Sequence, residues 1–137
     1  MSGLDLVRFV KTVLFPRVRK SLKEVLADQS LASLGDSYVS FIYSLAVSNR
    51  KGQPIGIKAK GSILTGALRK ARLRGGELPS QMSTHSLADA PESLIVYAWL
   101  NERIGLEESV EIATKEKDPV CDLTRLLAVI RKRTTFA

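Results

Sequence analysis

The chain has 137 residues, 45% of them apolar and 26% charged, with a formal net charge of +7. That length and balance suit one domain with one core, residues 1–137, and exclude wholesale disorder or a second independent module. The positive surplus attracts polyanions, nucleic acid first among them, although a surface charged for solubility would read the same way.

Lys and Arg interrupt every hydrophobic run, so none approaches the roughly 20 apolar residues of a membrane-crossing helix, and no membrane partner is expected. Met1 to Leu14 carries Asp5, Arg8 and Lys11 inside its apolar pattern, unlike a secretory signal. Cys121 is alone and cannot form an internal disulfide. An intracellular, cytoplasmic protein is expected, with Cys121 as a small packing residue.

In chain order, Gly3 to Ala27 spaces its apolar residues three and four apart, which predicts a helix that Pro16 kinks or divides. Ser30 to Ser48 repeats the pattern with Leu31, Leu34, Tyr38, Phe41, Ile42 and Leu45 on one side. Ser33, Asp36, Ser37, Ser40 and Ser44 share a neighbouring face, where small side chains permit close approach. A turn-rich loop, Asn49 to Gly56, follows. Ile57 to Arg74 predicts a helix capped by Ser62 and stopped by Gly75 and Gly76. Its outer side is strongly basic, with Lys58 and Lys60 before it and Arg69, Lys70, Arg72 and Arg74 along it.

His85 to Arg103 is the most hydrophobic predicted helix, ended by Gly105. Two amphipathic helices complete the chain, Leu106 to about Lys117 and Pro119 to Arg133, the last closing with Arg131, Lys132 and Arg133. No period-two strand and no internal repeat is present, so the predicted class is all-α.

Two acidic motifs stand apart from the generic charged faces. In Leu31-Ala32-Ser33-Leu34-Gly35-Asp36-Ser37 a carboxylate follows a glycine inside a predicted helix, a placement that costs about 1 kcal/mol of helix propensity. In Leu87-Ala88-Asp89-Ala90-Pro91-Glu92-Ser93-Leu94, Asp89 and Glu92 are one helical turn apart and share a face. Spacing alone also allows a capping box, with Asp89 as N-cap, Glu92 reaching back and Pro91 in the first turn. His85 is the only histidine, so neither a histidine metal cluster nor a Ser-His-Asp triad can be built. Tyr97 and Trp99 fit a core or dimer contact better than a base-stacking platform.

Taken together and in order, these motifs resemble the ribonuclease III family. Leu34, Gly35 and Asp36 match its signature helix, Asp89, Ala90 and Glu92 its second acidic helix, and Lys60-Gly61-Ser62-Ile63-Leu64-Thr65 its intermediate motif. The resemblance spans about residues 30–105. It is closest to the compact subgroup, small archaeal relatives included, that has the catalytic domain without a separate RNA-binding domain. Departures are specific: Gln29 and Ala32 stand where the family signature carries acids, and Lys60 where many relatives have Glu.

The resemblance implies an all-α endonuclease domain that hydrolyses phosphodiester bonds in double-stranded RNA and pairs as a homodimer. Asp36, Asp89 and Glu92 would be the catalytic and metal-ligating residues for Mg²⁺ or Mn²⁺, since Mg²⁺ needs few protein carboxylates when water and phosphate oxygens complete its shell. Lys58, Lys60, Arg69, Lys70, Arg72 and Arg74 would contact phosphates, with Arg131, Lys132 and Arg133 behind them. Two alternatives stay open: a non-catalytic RNA-binding relative, and a helical interaction module in which Asp89 and Glu92 only cap a helix.

Overall fold

The computed structural model describes residues 20–73 and 84–136, apart from the side chains of residues 72, 73, 84–86 and 88. Among the described residues there are six helices and no strand: α1 (Leu22–Ala27), α2 (Gln29–Lys51), α3 (Gly61–Leu73), α4 (Thr84–Leu100), α5 (Leu106–Thr114) and α6 (Pro119–Arg133). The all-α class is as expected. None of these helices is long and apolar enough to cross a membrane. Most of the Gly3 to Ala27 segment, with Pro16, lies outside the described residues, as do Arg74, Gly75 and Gly76; the described part of that segment ends in α1.

Helix α4 is the axis of the fold because from Leu94 to Leu100 it is apolar on every side. Leu94, Ile95, Val96 and Ala98 have no exposed surface, and α1, α2, α3 and α6 all pack on it. A helix of that kind gains its stability by being surrounded. Leu123, Leu126, Leu127 and Ile130 of α6 and Leu64, Ala67 and Leu68 of α3 complete the core.

The inward face of α2 differs from the expected one. Ala32, Gly35, Val39, Ile42 and Ala46 are buried, while Phe41 is 51% exposed. The reason is distance: the small residues face α4 and let the two helices approach, which displaces Phe41 to the outside. A Cβ built on Gly35 would lie 2.2 Å from the Glu92 carbonyl oxygen, so no larger residue fits without moving backbone.

Local chemistry sets the helix ends. Ser21 and Glu24 form a reciprocal capping box at α1. Asp28 accepts from the Leu31 N–H to open α2, and Gly52 closes it at φ 68, a left-handed conformation that glycine adopts without strain. Asp118 accepts from the N–H groups of Val120 and Cys121, with Pro119 in the first turn of α6. Two expected boundaries shift. Lys60, whose carbonyl accepts from Ile63 and Leu64, occupies the cap position of α3, and Ser62 lies inside the first turn. Gly105 is the N-cap of α5, and the chain leaves α4 through Glu102 at φ 58.

Gly35→Ala tests the close crossing. In an ordinary helix this change stabilises by about 1 kcal/mol. Here it is expected to destabilise by about 1–3 kcal/mol in denaturant titration, the usual range for an overpacked core.

Candidate active site

The second acidic motif does not cap a helix. Asp89, Pro91 and Glu92 lie inside α4, which begins at Thr84, so the capping-box alternative fails. Pro91 has no N–H to give the Leu87 carbonyl and costs the helix interior about 3 kcal/mol. Violation of a local rule next to buried acids is characteristic of functional positions.

The crossing at Gly35 brings the two motifs together. Asp36, Asp89 and Glu92 line one pocket of about 380 Å³, together with Lys58, Gly61, Gln29 and Ala32. Glu92 is only 6% exposed, and among the described residues its Oε2 has no hydrogen-bond partner. Burial, a hydrogen bond shared with Asp36 and the charges of Asp36 and Asp89 push its carboxyl up to about 8, with Lys58 pulling the other way. An acid confined with two others at low dielectric holds its proton unless a cation arrives. A larger cleft of about 600 Å³ between α2 and α5 is lined by Leu45, Leu106 and Val110 and holds none of these acids.

Lys58 reaches the pocket through a ladder of serines. Ser48 donates to the Ile55 carbonyl and accepts from its N–H, Ser44 does the same with Ile57, and Ser40 accepts from the Ala59 N–H. Four residues of helix rise about 6 Å and two extended residues about 6.6 Å, so each fourth position of α2 meets each second residue of the strap. The next α2 position in that series is Asp36, and the next strap position is Gly61, where α3 begins. Lys58 thereby sits with its Nζ 3.7 Å from Asp36 Oδ2.

The other predicted cations are spread out. Lys60 is exposed beside the pocket-lining Gly61. Arg69 and Lys70 are exposed roughly 13–15 Å further along α3. Lys70 turns toward α6, its Nζ 3.6 Å from Cys121 Sγ. The side chain of Arg72 and all of Arg74 lie outside the described residues. Arg133 is held by both oxygens of Glu108 at 2.7 Å and braces α6 against α5, whereas Arg131 lies over the Phe136 ring and holds the segment that follows α6. Tyr97 is buried in the core against Phe136, and the half-buried Trp99 stacks on Tyr38.

A fold that joins an LGD-bearing helix to a buried Asp-x-x-Glu helix is matched by one family model. The model described as Ribonuclease III covers residues 29–135, well over half of the chain. The chain belongs to the ribonuclease III family. No curated protein gives a match. Ribonuclease III domains act in the processing of double-stranded RNA and generally use Mg²⁺. Among the described residues no three His, Cys, Asp or Glu side chains are already drawn into a cage around one point. The donors nevertheless fit in kind. Mg²⁺ takes one or two carboxylates and keeps its waters, and the buried Oε2 of Glu92, which has no hydrogen-bond partner among the described residues, is an oxygen donor of the kind it takes.

Two measurements follow. Between its ordinary value of 4.5 and about 8, native Glu92 keeps a proton that the unfolded chain has lost, so stability falls as pH rises through that window. In metal-free buffer Asp36→Asn removes a neighbouring charge and is expected to raise the melting temperature at about pH 8, the gain vanishing near pH 5. Ser44→Ala is expected to speed amide exchange at Ile57 while changing global stability by less than about 1 kcal/mol, since the bonds it removes are solvent-exposed.

Proposed function

We propose that this chain is a metal-dependent endoribonuclease that hydrolyses phosphodiester bonds in double-stranded RNA. The observation that carries this reading is the convergence of Asp36, Asp89 and Glu92 on one pocket with a buried Glu92 oxygen left unpartnered among the described residues. Asp36, Asp89 and Glu92 would hold Mg²⁺ or Mn²⁺. When bound, such an ion supplies an activated water and neutralises charge developing on the phosphate.

The protein's own groups do the rest. Glu92 would give up its proton when a cation is held beside it, because positive charge offsets the repulsion from Asp36 and Asp89. Lys58 and Lys60 stand where a phosphate backbone would cross the mouth, and Arg69 and Lys70 extend the cationic line along α3. Contacts of that sort recognise the shape of an A-form duplex more than its sequence. A homodimer would set two pockets on one duplex. Supporting a second copy, Phe41 and Ile57 are exposed by 51% and 41%, and Phe41 lies one turn before Ser44, whose hydroxyl holds Ile57.

A second reading, RNA binding without cleavage, draws on the pocket wall: Gln29 and Ala32 line it and offer no carboxylate. The test is cleavage of a long RNA duplex with Mg²⁺ or Mn²⁺. Wild type is expected to cut, Asp36→Asn and Glu92→Gln to fall to background while staying folded, and duplex binding to weaken steeply with salt. Equal cutting by all three proteins would remove the catalytic assignment, and salt-sensitive binding without cutting would select the second reading.

A further inference from the structure

We propose that Lys58 is a resident cation that balances the acid pocket in its metal-free state and competes with a divalent ion for Asp36. This rests on the metal-site reading above. The lysine is delivered, not incidental: Ser40, Ser44 and Ser48 fix the strap on both sides of it through backbone bonds of 2.8–3.2 Å, and the register ends at Asp36.

The contact is also loose. At 3.7 Å, with the Lys58 side chain 76% exposed and Asp36 43% exposed, the ammonium stands at the mouth of the pocket. It leaves Glu92 Oε2 on the floor without a hydrogen-bond partner among the described residues. Lys58 therefore lowers the charge of the site without filling the position a metal would take. A divalent ion entering between Asp36 and Glu92 would meet a like charge a few ångströms away, and the flexible lysine would swing out to solvent. The cost of displacing it weakens metal affinity, so a higher concentration of the ion is needed to load the site.

The experiment is Mn²⁺ titration of the full chain at low ionic strength, read by the loss of the free-Mn²⁺ magnetic resonance signal. Lys58→Gln is expected to bind Mn²⁺ about three- to tenfold more tightly than wild type, the order of one partly screened charge. Lys58→Arg is expected to match wild type, and Lys132→Gln, which removes a charge outside the pocket lining, to change affinity less than about twofold. Affinity of Lys58→Gln equal to or below wild type overturns the competition while leaving the metal-site reading standing. Absence of Mn²⁺ binding in both wild type and Lys58→Gln overturns the two together. Exposure of Lys58 makes a folding defect in its variants easy to exclude by thermal melting.

Discussion

Helices α2 and α4 cross backbone to backbone at Gly35, with the Glu92 carbonyl occupying the space a side chain would need. Everything at the pocket is set by that approach. It brings Asp36, the very next residue, to the wall that α4 presents, and it buries Glu92 in a helix whose other neighbours are apolar. Hydrophobic burial around α4 supplies the driving force, since Leu94, Ile95, Val96 and Ala98 are removed from water entirely. The acids are positioned by a core that would be more stable without them.

That tension is legible in the chemistry of Glu92. A carboxyl pushed up to about 8 by desolvation and by two neighbouring acids opposes folding whenever it ionises. Pro91 adds a missing backbone bond one residue earlier. Neither feature is explained by packing. Both make sense where a cation is to be taken up, because the same repulsion that strains the empty pocket is relieved by positive charge.

The sequence carried the helical class and the two acidic motifs, because periodicity and short ordered motifs are local signals, whereas their meeting was implied only by the family resemblance. Periodicity placed Ile42 correctly in the core and Leu31, Tyr38 and Leu45 against it, but centred the buried face of α2 too near Phe41. Hydrophobic periodicity weights Phe41 and Leu34 above Gly35 and Ala32, whereas the packing is decided by how near α4 must come. The capping alternative at Asp89 failed because helix α4 starts at Thr84, one residue before the expected His85, which leaves Asp89 more than a turn inside it. Lys58 was legible as a cation but not as a neighbour of Asp36. Its placement depends on three serines pairing with a loop, and the signal, serines at every fourth position facing an extended run, is visible only once the pairing is known.

The serine ladder also constrains how the protein can change. Its matching of four helical residues to two extended ones leaves no slack between Ile55 and Ala59, so losing or gaining one residue there would swap odd for even positions and turn the ammonium away from the acids. Length variation is tolerable only upstream, in the exposed turn at Gly52, Gln53 and Pro54. The segment thus behaves as a ruler, with a variable handle and a fixed scale.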